Sequence, residues 1–163
     1  MQPWRRVGPK PTLRRAGLAT PIGGFWVAAR DGAVVRAGWG DAPPDTDDPI
    51  LRLALSEIAA YFDGTLTRFS VPLLPEVSAF QAIFLQALTA IPFGETRTYG
   101  QLAKQLNTPA QVIGQACGAN PIPLLIPCHR VLGANTLGGY SGAGGVETKV
   151  ALLRHEGAGG LLL

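Results

Sequence analysis

The chain is poor in the residues that build disulfide frameworks and metal sites. Its 163 residues include two cysteines and two histidines. Two cysteines are too few for a disulfide framework in a chain of this size. The four soft ligands, Cys117, Cys128, His129 and His155, match no familiar zinc spacing. We therefore expect reduced thiols, no bound metal and no cofactor.

Long apolar runs are also missing. No stretch approaches the ~18 uninterrupted apolar residues that indicate a membrane-spanning helix. Pro3, Pro9 and Pro11 interrupt the N-terminal region in which a signal peptide would lie. The sequence therefore predicts a cytoplasmic protein without a membrane span, in which the thiols stay reduced.

Charged residues are scarce and unevenly placed. They make up 15% of the chain, well below the usual ~25%. Residues 1–15 include five basic residues and no acid, residues 16–75 have a net charge of −3, and residues 76–163 have a net charge of +1. This balance permits contact with a polyanion without requiring it. For the N-terminal arginines we expect a solvated tail rather than a nucleic-acid-binding arm.

The first part of the chain predicts a small antiparallel sheet with one helix. Residues 24–30 and 33–39 have the composition of strands, and Asp31-Gly32 between them is a typical hairpin turn. Residues 50–62 carry apolar side chains at helical spacing. Residues 69–73 are predicted to form another strand.

A stretch from Pro72 to Pro75 predicts a boundary between two lobes, residues 1–75 and residues 76–163. Beyond it the pattern becomes helical. Ser78 is placed to cap a helix over residues 79–90. We expect the inner face of this helix to consist of Phe80, Ile83, Phe84, Ala87 and Leu88.

Two short helices are predicted next. Thr98 caps the first, which runs to Leu106, and the second spans residues 110–119 after a break at residues 107–109. Helix, short turn and helix is the spacing of a helix-turn-helix, although two packed helices that bind no ligand give the same pattern. A closing helix over residues 147–155 completes an α+β fold.

Residues 126–131, IPCHRV, place a cysteine beside a histidine. A thiol attacks as the thiolate, and histidine suits the role of base because its pKa lies near neutrality. Neighbouring side chains diverge, so a turn or a bridging water must connect Cys128 to His129. An acidic residue must then orient the histidine. The second lobe offers Glu76, Glu95, Glu147 and Glu156. Alternatively, Cys128 is simply a small buried hydrophobe.

Five ordered blocks around this motif resemble one family. They are residues 80–88, IPFGETRTYGQLA at 91–103, GQACGANPIPLLIPCHRV at 114–131, GGYSGAGGVETK at 138–149 and LLRHEG at 152–157. In their order and spacing they resemble the O6-alkylguanine-DNA alkyltransferases over residues 78–157. In the first lobe only residues 61–64 and 69–73 resemble that family.

The resemblance implies a ribonuclease-H-like first lobe without nuclease activity and a winged-helix-like second lobe that carries the helix-turn-helix. The implied partner is double-stranded DNA carrying O6-alkylguanine, and O4-alkylthymine is a further implied substrate. The damaged base is flipped out through the minor groove, and its alkyl group passes irreversibly to the protein's own cysteine, once per molecule. A monomer is expected, with cooperative assembly on DNA left open.

Residue by residue, the resemblance makes Cys128 the nucleophile, His129 the base acting through water, and Glu156 the residue that orients the histidine. Asn120 is the hinge between the recognition helix and the active-site strand. Substrate contacts are implied for Tyr99, Ser141, Tyr140, Val131, Cys117 and Pro123. DNA contacts are implied for Thr98, Tyr99, Ala110, Gln111, Gly114 and Gly118, with phosphate contacts from Arg97, Lys104 and Lys149.

Several of these residues have simpler interpretations when taken alone. Tyr99 is then a surface tyrosine, Ser141 a loop residue, Cys117 a helix core residue and Pro123 a chain breaker. Arg130 is expected in a structural ion pair rather than at DNA.

Two positions depart from the family pattern. The residue that wedges into the DNA stack is usually an arginine, and Gln111 stands there. Because glutamine lacks the charge and the planar guanidinium, this departure predicts weaker DNA affinity or slower base flipping. Leu85 replaces a frequent tryptophan and is expected to alter packing only.

Three other functions use the same residues differently. A regulator would bind DNA through the helix-turn-helix without removing the lesion, and a cysteine hydrolase would turn over esters or amides through an acyl-enzyme. Cys117 and Cys128 could also form a redox pair, although the chain has no CxxC motif. The mass of the protein after exposure to alkylated DNA separates these functions, since only alkyl transfer adds a methylene-sized mass to Cys128.

Overall fold

A three-stranded antiparallel sheet begins the fold. The structure is a computed structural model that describes residues 12–140 and 144–158. The strands β1 (Arg14–Thr20), β2 (Gly23–Arg30) and β3 (Ala33–Trp39) lie in the order β1-β2-β3. Helices follow the sheet along the chain, so the predicted α+β class is confirmed.

The predicted hairpin is present. β2 and β3 are joined by Asp31 and Gly32, whose φ angles of 56° and 79° are both positive. Two positive φ angles match the twist of the two strands, and aspartate and glycine tolerate them. The hairpin is thus explained by local sequence alone.

Arg14 and Arg15 belong to strand β1 and not to the predicted tail, although both are exposed to solvent as expected. Residues 1–11 lie outside the described residues. The Arg15 guanidinium lies 4.0 Å from the centre of the Trp26 ring, and Arg14 binds the carboxylate of Asp47 at 3.1 Å. The strand's arginines and glycine gave a weak strand pattern. Its pairing with β2 supplies the stability that local composition does not.

Helix α1 (Pro49–Phe62) packs on the sheet, as predicted. The Asp48 side chain accepts hydrogen bonds from the first backbone N–H groups of the helix, and Pro49 needs no partner there because it has no N–H. Gly64, with a φ of 81°, follows the end of the helix. The buried face of α1 consists of Leu51, Ala54, Glu57, Ile58 and Tyr61.

The predicted strand over residues 69–73 is reduced to one bridge between Val34 and Leu73. The Glu57 carboxylate accepts hydrogen bonds from the backbone N–H groups of Ser70 and Val71 at 2.8–3.0 Å. Because Pro72 has no N–H, this segment has few donors left for a strand ladder. The segment nevertheless binds β3, since Val34 N–H donates to the Pro72 carbonyl at 2.8 Å.

Helix α2 (Ala79–Thr89) is capped by Ser78 as predicted, but its inner face is rotated. Phe80 and Ile83 are 39% and 55% exposed, whereas Leu85 is buried. Gln81 is buried too, and its side-chain amide donates to the Ala116 carbonyl at 2.8 Å. Apolar periodicity could not predict a glutamine facing inward, because its partner is a backbone group of another helix. Leu85 packs in the apolar core.

The helix-turn-helix is present as predicted. α3 (Tyr99–Leu106) and α4 (Ala110–Gly118) are joined by residues 107–109, with Asn107 in the left-handed conformation at a φ of 52°. The Thr98 hydroxyl and the Gln101 side chain form a reciprocal capping box at the start of α3.

The last elements connect the site to this motif. Strand β4 (Arg97–Thr98) pairs in parallel with β5 (Val131–Leu132), which follows a single 3-10 turn at Cys128–Arg130. Helix α5 (Val146–His155) closes the fold. Buried residues on both sides of the predicted lobe boundary belong to one continuous apolar core. Across the described ranges, no helix has the length and apolarity needed to cross a bilayer.

Candidate active site

Cys128 stands at the edge of a cavity between α3, α4 and the loop before α5. The cavity has a volume of about 520 Å³, within the usual size range of small-molecule sites. Its lining residues are Tyr99, Gly114, Cys117, Gly118, Cys128, Gly138, Gly139 and Tyr140. Cys128 itself is 4% exposed, so the thiol meets the cavity rather than bulk solvent.

The 3-10 turn separates Cys128 from its neighbour His129. Successive side chains on such a turn point about 120° apart. His129 is fully buried, and its Nε2 lies 2.7 Å from Oε2 of Glu156. Nδ1 is buried and meets no hydrogen-bond partner among the described residues. The arrangement is therefore a turn without a direct thiol–imidazole bond.

Glu156 lies behind the histidine at the end of α5. Arg130 donates to both of its oxygens, from Nε to Oε1 at 2.8 Å and from Nη2 to Oε2 at 2.9 Å. The Tyr61 hydroxyl also donates to Oε2, at 2.7 Å. The expectation that Arg130 forms a structural ion pair is confirmed. Of the other three candidate acids, Glu76 and Glu95 bind arginines elsewhere, and Glu147 is exposed.

The charges of this network are fixed by burial and by hydrogen bonds. Burial raises the pKa of Glu156, but hydrogen bonds from His129 and Arg130 outweigh it and hold that pKa well below its usual value. Burial lowers the pKa of His129 despite the nearby carboxylate. Glu156 is therefore ionised and His129 neutral. The imidazole proton then lies on Nε2, which leaves Nδ1 as the basic nitrogen.

Asn120 ties the end of α4 to the chain that leads to the thiol. Its Nδ2 donates to the Ile126 carbonyl at 2.9 Å, and its Oδ1 accepts from the Ile122 N–H at 3.0 Å. Burial raises the pKa of Cys128, while the Asn120 side chain and the charge of Lys149 favour the thiolate. The resting thiol is therefore protonated and needs a base when it reacts.

Lys149 is not a phosphate contact, and that prediction is wrong. Its side chain is fully buried, and Nζ donates to the carbonyls of Val131 at 2.6 Å and Gly139 at 3.0 Å. Burial lowers the pKa of Lys149 to about 8. The lysine thus joins β5 to the cavity loop and places a positive charge near the thiol. A signal existed in the sequence, because Lys149 lies one turn before Leu152 and Leu153 on the buried face of α5.

The predicted substrate residues divide into two groups. Tyr99, Cys117 and Tyr140 line the cavity, and burial raises the pKa of Cys117 to about 12. Val131 and Pro123 are buried and are not among the lining residues. Ser141 lies outside the described residues.

Gly138 shapes the cavity wall beside Tyr99. A Cβ at Gly138 would lie 2.6 Å from the Tyr99 hydroxyl, and its φ of 71° also favours glycine. The loop therefore approaches the tyrosine more closely than any other residue type would allow.

One face of α4 is exposed and nearly free of side-chain bulk. Ala110, Gln111, Gly114 and Gly118 are all exposed there. A Cβ at Gly114 or Gly118 would meet no described atom within 4 Å, so the protein's own packing does not require glycine at either position. Of the other predicted DNA contacts, Lys104 is exposed, and Arg97 is half-buried with Nη1 bound to the Thr96 carbonyl. Thr98 caps α3.

Two residues of the predicted first lobe reach the site, and sequence reasoning missed both. Tyr61 of α1 donates to Glu156, and the Trp39 indole N–H donates to the Tyr140 hydroxyl at 3.1 Å. Tyr61 lies in one of the two first-lobe segments with family resemblance, which was a usable signal. Trp39 had none, because its partner lies 101 residues away.

The chain is similar to proteins of one family. Residues 79–158 match the model of the 6-O-methylguanine DNA methyltransferase DNA-binding domain. Methylated-DNA–protein-cysteine methyltransferase of Mycolicibacterium paratuberculosis is 38% identical over 152 residues, covering 84% of this chain and 88% of that protein. The protein of the same name from Salmonella typhimurium is 40% identical over 161 residues, covering 86% and 93%.

Solved structures give the same result. O6-methylguanine methyltransferase of Mycobacterium tuberculosis superposes with a TM-score of 0.79 at 33% identity, covering 93% of this chain and 97% of that one. M. tuberculosis OGT in complex with DNA superposes with a TM-score of 0.76 at 38% identity, covering 87% and 92%. The chain therefore belongs to the family of methylated-DNA–protein-cysteine methyltransferases and is a DNA alkyl-repair enzyme.

Proposed function

We propose that the protein transfers the alkyl group from O6 of guanine in double-stranded DNA, and from O4 of thymine, to the sulfur of Cys128. The observation that carries this proposal is a buried thiol at the edge of a 520 Å³ cavity, with the His129–Glu156 pair behind it. The alkyl carbon–oxygen bond breaks as the sulfur–carbon bond forms. The thiol proton passes through a water to Nδ1 of His129, and guanine leaves as the oxyanion.

The leaving oxyanion must be neutralised as the bond breaks. We assign the donation of a hydrogen bond to the base to the Tyr99 hydroxyl, and the contact with O6 to Ser141. Burial raises the pKa of Tyr99, which keeps its hydroxyl protonated and able to donate. Tyr140 and Cys117 would surround the base and its alkyl group, and Val131 and Pro123 would support this wall from behind.

The transfer ends in a thioether, which thiol exchange does not reverse. Each molecule would therefore accept one alkyl group and stop, so the protein is consumed in proportion to the lesions repaired. We propose that it does so as a monomer.

The base must leave the duplex to reach a buried thiol. The glycine face of α4 supports an approach through the minor groove, with Gln111 filling the gap left in the stack. The DNA backbone would then lie against three small residues of α4, Ala110, Gly114 and Gly118. Thr98 would also contact the DNA, and Arg97 and Lys104 would contact its phosphates. In this arrangement residues 76–163 form the DNA-binding and alkyl-acceptor domain, and residues 1–75 support it.

Intact-mass measurement after incubation with an O6-methylguanine duplex tests the transfer. We expect one methylene-sized mass gain, located on Cys128 by peptide mapping, and a product yield that stops at one per protein molecule. Cys128→Ala should show no gain, whereas Cys117→Ala should keep it. DNA binding without a mass gain would indicate a regulator, and continuing turnover of an ester substrate would indicate a hydrolase.

A further inference from the structure

Tyr61 of α1 forms hydrogen bonds with two consecutive residues at the end of α5. Its hydroxyl donates to Oε2 of Glu156 at 2.7 Å, and its carbonyl accepts a hydrogen bond from Nε2 of His155 at 2.6 Å. The tyrosine is fully buried. One residue of α1 therefore fixes both the carboxylate of the relay and the turn of helix that carries it.

The oxygen that serves the histidine is shared by three donors. Oε2 of Glu156 accepts from His129, from Nη2 of Arg130 and from the Tyr61 hydroxyl, while Oε1 accepts from Nε of Arg130 and, at 3.4 Å, from the Gly94 N–H. A carboxylate offers about four lone-pair directions in all, so these five donors saturate it. The plane of the Glu156 carboxylate and its distance from the His129 imidazole are consequently set by its hydrogen bonds from Arg130 and Tyr61.

The Tyr61 hydroxyl keeps its proton and is the donor in its hydrogen bond with Glu156. Burial raises the pKa of Tyr61 far above its usual value, and the charge of Glu156 raises it further. A neutral donor on Oε2 makes the carboxylate less basic, because it stabilises the charged form. The proton between Glu156 and His129 is therefore kept on the imidazole.

We propose that Tyr61 is a positioning residue of alkyl transfer, whose hydroxyl holds Glu156 so that His129 keeps its Nε2 proton and offers Nδ1 as the base. This inference rests on the proposed transfer to Cys128. The alternative is that Tyr61 matters only through its ring, which packs against Phe62, Phe69 and Phe93 with centroid distances of 4.9–5.9 Å.

Tyr61→Phe in the full chain separates these roles, because it keeps the ring and removes only the hydroxyl. In single-turnover reactions with an O6-methylguanine duplex at saturating protein, we expect the limiting rate constant to fall about tenfold, since small displacements of a relay are costly. The dissociation constant for the duplex should stay unchanged. Phe62→Leu is the matched control, because it loosens the same aromatic cluster without touching Glu156 and should keep the limiting rate.

Long-range ¹H–¹⁵N NMR spectra of the His129 ring give a readout that simple packing would not move. Wild type should show a single Nε2–H tautomer, and Tyr61→Phe should show a changed tautomer population or titration. An unchanged spectrum together with a wild-type rate, even with a lowered Tm, overturns the inference. If wild type itself gains no methyl group, the proposed function fails, whereas the spectra of the two proteins still decide whether Tyr61 controls His129.

Discussion

The indole N–H of Trp39 donates a hydrogen bond to the hydroxyl of Tyr140 at 3.1 Å. Trp39 ends β3, and its ring meets Phe25 edge-on with a centroid distance of 4.8 Å. Tyr140 lines the cavity that contains Cys128. The sheet therefore supports the cavity wall at Tyr140, next to Gly139, whose carbonyl binds Lys149 of α5.

Trp39→Phe should slow alkyl transfer while leaving the fold intact. The substitution keeps the aromatic contact with Phe25 and removes the donor to Tyr140, so the free energy of unfolding should fall by only about 1 kcal/mol. Because Tyr140 then loses the bond that fixes it in the cavity wall, where the proposed transfer takes place, we expect the transfer rate to fall about fivefold. Single-turnover kinetics and urea unfolding measure the two effects.

Trp26→Phe is the control for this change. Trp26 lies in the neighbouring strand and stacks on Arg15, away from the cavity. It should change stability but not rate. Equal rates for Trp39→Phe and wild type would show that the sheet does not position Tyr140.

Stability should fall on mild acidification because His129 is buried in its neutral form. Burial holds the pKa of folded His129 below 6.5, so in the unfolded chain this residue takes up a proton first as the pH drops. The folded state thus loses free energy relative to the unfolded state below about pH 6.5, by up to about 1.4 kcal/mol per pH unit. Urea unfolding between about pH 7 and pH 5 measures it, above the range where unfolded carboxylates titrate.

His129→Gln should remove most of this slope, since glutamine can still donate to Glu156 but does not titrate. His155→Gln keeps His129 and should keep the slope. If the slope survives in His129→Gln, another group is responsible for the acid sensitivity.

Local sequence was enough to predict the helix-turn-helix and the hairpin. The helix caps and the turn involve backbone groups no more than three residues away, so they can be recognised from the sequence before the fold is known. They are the capping box of Thr98 and Gln101, the cap at Ser78 and the turn at Asp31-Gly32. The proposed nucleophile and base could likewise be predicted from the sequence, because Cys128 and His129 lie in one contiguous family motif.

Distant hydrogen-bond and strand partners could not be predicted. Gln81 faces inward because the Ala116 carbonyl of α4 accepts a hydrogen bond from its side-chain amide, and the Lys149 ammonium binds the carbonyls of Val131 and Gly139. Strand β1 pairs with β2, and the buried Tyr61 hydroxyl binds Glu156. Each partner lies more than ten residues away or on another element. The apolar pattern of α5 and the family resemblance around Tyr61 therefore gave a signal for the residue itself but did not identify its partner.

Gln111→Arg should strengthen DNA binding and speed repair. Gln111 is exposed in the first turn of α4, and arginine would add a charge and a planar group able to stack in the duplex gap. One added phosphate-facing charge should tighten binding several-fold and steepen the salt dependence by about one unit. Duplex titrations at several salt concentrations and single-turnover rates measure both effects.

Gln105→Arg separates the effect of a side chain inserted into the base stack from the general attraction of a positive charge to DNA. Gln105 is exposed on α3, so the added charge is the same but lies outside the first turn of α4. It should change affinity without raising the limiting rate. If Gln111→Arg has the affinity and rate of wild type, then glutamine at this position does not weaken DNA binding or slow base flipping.

Gly114→Ala should make the protein more stable and less active. Gly114 is in the interior of α4, and a Cβ there meets no described atom within 4 Å, so alanine should gain about 0.5–1 kcal/mol of helix stability. The same Cβ would stand on the cavity edge, where the proposed base flipping brings the base and its backbone past α4, so the transfer rate should fall at least tenfold. Gln115→Ala changes the next residue of the same helix and should add stability while keeping the rate. A Gly114→Ala protein that is both stabilised and fully active would mean that DNA does not approach α4 at this glycine.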